Sequence, residues 1–398
     1  MKYQILIVGA GIAGLTAAIE SARSGFKVAI FEKNKTIGYP LSCGEYTPNH
    51  IELKKIFPNT QNFKKLFSYP KEFIRNKCTK VHVHGSSERF WEYKLNSIVI
   101  NRPELQQYLA EQCLAEGATL HKGSKVDSYN PNGNLTFNGK KISKINGEVC
   151  ITADGPTSHI ARNAGLLVPH IPSELSPCKG YIIDNANLDS NICHVFFSPK
   201  YAPGGYGWII PWSENKANIG VGIRNSFLNT NQNLDLCLKN FIEEHPVVSR
   251  MTKQAKIMDK IHGLVPVGGP IPITYTSNLM VTGDAAGFVM ACNGGGIPTG
   301  LLSGYLAAQT AKKHLTDNEP LEIYEKEWRY QIGDGLKKAI YIRRIADRIM
   351  INDSLMETFL DLVGSRRVGE LMTCRIPFLV KMGAPFVSTL LKLFSENQ

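Results

Sequence analysis

A short apolar run, Tyr3 to Val8, passes without interruption into Gly9-Ala10-Gly11-Ile12-Ala13-Gly14 and then into a helix-like stretch, Leu15 to Ser24. Strand, glycine turn and helix in this order constrain the chain to begin as one βαβ unit of a parallel sheet. Gly9 permits the tight turn, Gly11 lets backbone approach a pyrophosphate, and Gly14 lets the helix lie close to the strand. The helix then points its free amides at the phosphates. A second apolar run, Val28 to Phe31, ends at Glu32, the distance at which a carboxylate takes the ribose hydroxyls of a bound adenosine. An acid there favours an unphosphorylated ribose, as in FAD or NAD. The bland alternative, a plain turn and a solvated strand end, needs all of these elements to fall in register by chance.

A regular dehydrogenase sheet does not follow. The chain runs instead through Gly38-Tyr39-Pro40-Leu41-Ser42-Cys43-Gly44-Glu45, a loop with strong turn signals. Later come Ala153-Asp154-Gly155-Pro156-Thr157-Ser158, then Gly283-Asp284-Ala285-Ala286-Gly287 after the apolar run Leu279 to Val281, then Gly294-Gly295-Gly296-Ile297. Taken singly, each is ordinary turn chemistry. Taken in order, the GxGxxG opening, the DG segment followed by Ser158 and Arg162, and the late GDAAG resemble the fingerprints of the para-hydroxybenzoate-hydroxylase-like flavoproteins.

That resemblance implies FAD as the cofactor and an α/β (α+β) fold: a Rossmann-like FAD-binding domain (1–70, 98–168 and 255–318), a substrate domain built on an antiparallel sheet (71–97 and 169–254), and a helical region from 319 onward. It implies that Gly9, Gly11, Ala13, Gly14 and Glu32 hold the adenosine diphosphate, with Val126 bordering the adenine. Arg102 reaches the flavin nucleotide, Asp154 belongs to the second fingerprint, and Asp284 binds a ribityl hydroxyl, with Ala285 to Gly287 opening a helix toward the pyrophosphate. Gly295, Gly296 and Ile297 bring backbone close to the isoalloxazine ring, and Cys43 and Gly44 lie beside the flavin.

Two segments narrow the resemblance. Cys43-Gly44-Glu45 after Pro40 is similar to the cysteine loop of geranylgeranyl reductases, and Pro203-Gly204-Gly205-Tyr206-Gly207-Trp208-Ile209-Ile210-Pro211 resembles their PxxYxWxFP motif. Tyr206 and Trp208 fall at i and i+2 of a strand-like run, hence on one face. With Pro211 they form one wall of a cavity suited to a long apolar chain, whose methylenes are each worth about 0.8 kcal/mol on burial; a simple core packing of the two aromatics is the alternative. Ile210 stands where the family has phenylalanine, and Trp212 where it has lysine. The altered motif also resembles the WxWxIP segment of flavin-dependent halogenases, with Tyr206 in place of their first tryptophan. The expected activity is flavin-dependent saturation of isolated C=C bonds in a prenylated lipid. Cys43 is the first candidate proton donor and Glu45 and Tyr206 the next. The alternatives are an FAD monooxygenase or halogenase acting on an aromatic or apolar small molecule, and a flavin-binding carrier without turnover. The resemblance implies an external electron donor, NAD(P)H, ferredoxin-like or deazaflavin.

Composition bounds the rest. The 398 residues are 43% hydrophobic and 20% charged, which is ordinary for a globular enzyme of two or three domains. No apolar run approaches the roughly 18 residues that span a bilayer, and the start leads straight into a folded element, so a cytoplasmic location is expected. The nine scattered cysteines contain no CxxC pair, so reduced thiols are expected and neither disulfides nor a metal-ligand cluster. The charge of +11 names no partner by itself, and no nucleic-acid motif is present. From Leu321 the pattern turns helical, with Trp328, Ile332, Leu336, Ile340, Ile345 and Ile349 near helical spacing. The last stretch, Arg366-Arg367, Arg375 to Lys381 and Pro385 to Phe394, mixes basic and apolar residues. It reads either as a segment lying on an anionic membrane surface or as a helix closing the lipid tunnel.

Overall fold

A computed structural model describes residues 2–130, 133–136, 144–166, 172–230 and 232–377; Lys381 and the segment from Pro385 to Phe394 lie outside them. Two sheets organise the chain. The first contains β1 (Lys2–Val8), β2 (Val28–Phe31), β6 (Thr119–His121), β7 (Ser128–Asn130), β8 (Asn134–Thr136), β9 (Lys144–Thr152) and β15 (Leu279–Val281). Its order is β6-β2-β1-β9-β8-β7, with β15 on β9 beyond β8. Pairing is parallel through β6, β2, β1, β9 and β15, as an apolar run buried on both faces requires: all four residues of β2 and all three of β15 are buried.

The second sheet contains β3 (Tyr46–Pro48), β4 (Ile74–His84), β5 (Phe90–Ile100), β10 (Leu175–Asp184), β11 (Ile192–Phe196), β12 (Tyr206–Pro211), β13 (Ala217–Gly222) and β14 (Lys256–Pro266). Its order is β14-β10-β13-β12-β11-β4-β5-β3. The expectation of a purely antiparallel sheet is corrected at one junction, because β11 runs parallel to β4. The expected boundary at 255 is corrected as well. β14 pairs along its length with β10, so it belongs to the second sheet; its exposed, charged start carries no alternation from which a strand could be read.

The two faces of the second sheet bury different cores. One packs Val81, Val83, Val195, Trp208 and Ile210 against the C-terminal helices Asp334–Ile349 and Asp353–Met372. The other packs Phe196, Ile209, Ile219 and Val221 against the helix Leu234–Glu244. The C-terminal helices use the apolar periodicity seen in the sequence: Trp328, Ile332, Leu336 and Ile349 are all buried. Among the described residues no helix is long and apolar enough to cross a membrane.

Candidate active site

The glycine turn is built as its spacing requires. Gly9 has φ of +96°, and a Cβ on it would lie 2.3 Å from the Ala153 carbonyl oxygen; one on Gly14 would lie 2.0 Å from Gly9 O. These two glycines are compelled by packing. Gly11 differs: a Cβ there would meet nothing within 4 Å, although the residue caps the helix Ile12–Arg23. Open space in front of free helix amides is the cradle of a pyrophosphate. Ala13 faces the other way, with its Cβ 2.9 Å from the position a Gly283 Cβ would take.

Glu32 Oε2 accepts from Ala10 N at 2.8 Å and Oε1 from Asn34 N at 2.8 Å, which fixes the carboxylate at the β2 end beside the turn. Ser124 N donates to Glu32 O at 2.7 Å, so the segment ending at buried Val126 passes the same place. Asp154 Oδ1 accepts from Thr152 Oγ1 at 2.7 Å and its Oδ2 from His159 N at 3.0 Å, so the carboxylate braces the turn that meets Gly9.

A hydrogen-bond chain joins motifs far apart in sequence. Gln106 Nε2 donates to Ala10 O at 3.3 Å, Arg102 Nε to Gln106 Oε1 at 2.8 Å, and Arg102 Nη2 to Ser42 Oγ at 3.1 Å. Arg102 N also donates to Glu45 Oε1 at 3.3 Å. The same guanidinium opposes a rise in the pKa of Asp284, whose carboxyl burial pushes up to about 6. Thus hydrogen bonds and charge tie the turn at 9–14, the loop at 42–45, Arg102 and Asp284 into one neighbourhood.

The helix expected directly after Asp284 is corrected. Residues Gly283–Ala286 make one tight turn that ends at Gly287 with φ of +71°, and the long helix begins at Ile297. A Cβ on Gly287 would strike the Gly269 carbonyl at 2.1 Å, so the chain must turn away there. It returns through Gly294 to Gly296, where a Gly296 Cβ would lie 3.1 Å from Asp284 Oδ1 and a Gly294 Cβ 3.2 Å from Tyr206 Oη. The glycine loop therefore bridges Asp284 and the aromatic strand.

Tyr206 Oη donates to Asn293 O at 2.6 Å, and burial drives its pKa upward. Trp208 Nε1 donates to Asn218 Oδ1 at 2.8 Å, and Asn218 Nδ2 donates to Cys43 O at 2.9 Å. Tyr206 and Trp208 share a narrow cleft of about 70 Å³ with Cys178, Cys292, Gly294 and Arg343, smaller than a fully formed small-molecule site. Pro211 lies outside that lining, three residues beyond Trp208 on the strand, where its carbonyl accepts from Asn76 Nδ2 at 2.8 Å. The Cys43 loop packs on the same face of the strand as the two aromatics: a Gly44 Cβ would sit 2.8 Å from Ile210 Cδ1 and 3.9 Å from Trp208 Nε1. Glu45, with φ of +63°, is buried, and burial raises its pKa to about 7 against the pull of Arg75 and Arg102. Sequence spacing missed Arg75, Asn218 and Arg343, each supplied by a distant segment with no motif of its own. It also indicated no metal-ligand cluster; the fold brings one ring nitrogen each of His82, His84 and His194 within 4.8 Å of one another.

Fold and site together define a flavin-dependent oxidoreductase with a Rossmann-like nucleotide domain and a sheet-walled substrate cleft. Residues 7–60 match the NAD(P)-binding Rossmann-like domain, and residues 174–265 match the geranylgeranyl reductase catalytic domain. The chain is 33% identical over 367 residues to the digeranylgeranylglycerophospholipid reductase of Methanocaldococcus jannaschii, covering 89% of this chain and 88% of that one. It is 30% identical over 360 residues to digeranylgeranylglycerophospholipid reductase 2 of Methanothermobacter thermautotrophicus, covering 87% and 88%. Among solved structures it is similar to a geranylgeranyl bacteriochlorophyll reductase-like protein from Thermoplasma acidophilum, with TM-score 0.81, 24% identity and coverage of 96% and 98%. A flavin-dependent brominase shares the fold at TM-score 0.70 and 16% identity, with full coverage of both chains. This chain belongs to the geranylgeranyl reductase family.

Proposed function

We propose that this protein is an FAD-dependent reductase that saturates isolated C=C bonds in the geranylgeranyl or related prenyl chains of a membrane lipid. The observation that carries the reading is the continuity of the aromatic strand with the nucleotide cradle: Tyr206 meets the glycine loop at Gly294, and that loop meets Asp284. An alkene lying along Tyr206 and Trp208 is thereby led to the place where a flavin ring would be exposed.

Gly11, Glu32, Arg102 and Asp284 would hold the FAD, which supplies hydride when reduced. Everything else falls to the chain. An isolated alkene has no carbonyl to polarise, so alignment and water exclusion dominate, and the apolar part of the cleft wall provides both. The proton is assigned first to Cys43 Sγ, which accepts from Glu45 N at 3.2 Å. Glu45, protonated up to about pH 7 by burial, is the acid behind it, and Tyr206 Oη is the third donor. Electrons come from an external donor, NAD(P)H, ferredoxin-like or deazaflavin. A prenylated lipid also implies transient contact of the protein with a membrane surface.

The decisive experiment reduces purified protein with dithionite in the absence of oxygen, adds a geranylgeranyl lipid and follows products by mass spectrometry. Products heavier by pairs of hydrogens are expected. Hydroxylated or halogenated products formed in air, with no hydrogenated ones, would overturn the proposal in favour of the oxygen-using relatives of the fold.

A further inference from the structure

On the face of the second sheet turned away from the cleft lies a group of histidines that the reductase chemistry does not use. Strand alternation puts His82 and His84 of β4 on the same face. The parallel register pairs His194 with His82 and Phe196 with His84, so a third imidazole is set beside the first two. One ring nitrogen from each of the three lies within 4.8 Å of the other two, and His84 Nε2 is 3.0 Å from His194 Nδ1. On the remaining side, His82 Nε2 is 3.0 Å from Glu92 Oε2. Two of the rings are flanked by aromatic neighbours: Phe90 stacks on His82 at 4.1 Å and Phe196 on His84 at 4.6 Å between centroids.

Hydrogen-bond accounting separates these residues from ordinary core histidines. Nearby His245 is satisfied at both nitrogens, through Gly85 O at 3.0 Å and Val247 N at 3.3 Å. His194 is not: it is 3% exposed, its Nδ1 is engaged with His84, and its Nε2 is buried without a partner. Whichever tautomer His194 adopts, that nitrogen carries either an unmet proton or an unmet lone pair, and buried polar groups are rarely left so. Imidazole binds metals in its neutral form, and burial, ahead of repulsion between the rings, holds His84 down at about 2 and His194 at about 3.

We propose that His82, His84 and His194, with Glu92 set against His82, form a site for one divalent transition-metal ion of the zinc, cobalt and nickel class, stapling β4 to β11. Three imidazoles with no thiolate suit ions of that class, and a carboxylate beside a ligating histidine is the usual orienting partner. Ligands about 2.0–2.1 Å from a metal stand closer together than the widest spacing here, so binding draws the rings inward by rotation.

The test uses full-length protein stripped with a chelator and titrated with Co²⁺ alone, then with Zn²⁺ in competition. The expected result is one Co²⁺ per chain, with a visible ligand-field spectrum lacking sulfur-to-metal charge transfer and displaced by Zn²⁺. Glu92→Gln should weaken binding about tenfold, and His82→Gln and His194→Leu should abolish it. Exposed His50, changed to Gln, should leave it intact. Absence of stoichiometric binding by the wild-type protein overturns the proposal, as does a thiolate spectrum, which would place the metal on cysteines, or binding undiminished in folded His82→Gln. A cluster that holds a water instead would give no Co²⁺ spectrum and is overturned in the same measurement.

Discussion

Arg75 Nε stands 3.5 Å from Glu45 Oε2, a buried ion pair too long for a hydrogen bond, while the Arg75 guanidinium lies 3.8 Å from the centre of the Trp212 ring. The tryptophan that replaces the family's lysine is thus used: it stacks the arginine that faces the acid. Charge pulls the Glu45 carboxyl toward ionisation and desolvation pushes the other way. Desolvation wins, leaving the group near 7.

A pH dependence follows. Unfolded Glu45 loses its proton near 4.5 and folded Glu45 near 7, so in that window the native state binds more protons and stability falls as pH rises. If the acid supplies the proton, turnover by the reduced enzyme falls as pH rises through about 7. Arg75→Met should move the descending limb to higher pH, because a lowering charge is removed, and Glu45→Gln should erase it. A wild-type profile flat across neutrality would remove Glu45 from the proton path.

The glycines of the first turn should separate folding from cofactor binding. A methyl at Gly14 collides with backbone at 2.0 Å, so Gly14→Ala should cost about 1–3 kcal/mol of stability, read as a lowered melting temperature. Gly11→Val points into open space, so it should fold normally yet lose flavin from the purified protein. Gly11→Val retaining full flavin content would mean that the cradle has been misplaced.

The nucleotide half was legible because its signals are local. Gly9 to Gly14, Glu32 and Asp284 each sit at a strand end whose neighbours announce it. The second sheet was less so. β14 starts with Lys256, Asp259 and Lys260 among exposed residues and shows no alternation, and the parallel joining of β11 to β4 brings residues about 110 positions apart into contact. His194 next to His84, and Asn218 beneath Cys43, are products of that pairing and of sheet register. The turn at Gly287 was hidden for another reason: the collision that forces it is with Gly269, in a segment with no motif.

Asn218 makes a further prediction about the Cys43 loop. It accepts from Trp208 and donates to Cys43 O, so one buried amide ties the cleft wall to the loop. Asn218→Leu orphans both partners and should cost about 2 kcal/mol or more. It should also lower turnover while flavin stays bound. Cys43→Ser should slow alkene reduction more strongly, with flavin still bound and still chemically reducible, and with little loss of stability. Unchanged turnover in Cys43→Ser would take the thiol out of the mechanism.

The far end of the cleft carries charge. Arg224 is bound by Asp347, with its Nη1 2.9 Å from Asp347 Oδ2. Arg343 is 3.9 Å from the same carboxylate and keeps a buried Nε without a partner. Arg224, Arg343 and the neighbouring Arg344 outnumber the carboxylates of Asp347 and Glu174, which leaves a positive excess that suits the phosphate of a prenylated phospholipid lying with its chain toward Tyr206. Losing one charge-assisted contact is worth about 1.5–3 kcal/mol, or roughly a 10–100-fold change in affinity. Arg343→Met should therefore raise KM for a phosphorylated geranylgeranyl lipid by about that factor while leaving kcat, and the KM for the corresponding uncharged alcohol, nearly unchanged. An equal loss on both substrates would show that Arg343 supports the fold of the cleft and does not read the headgroup.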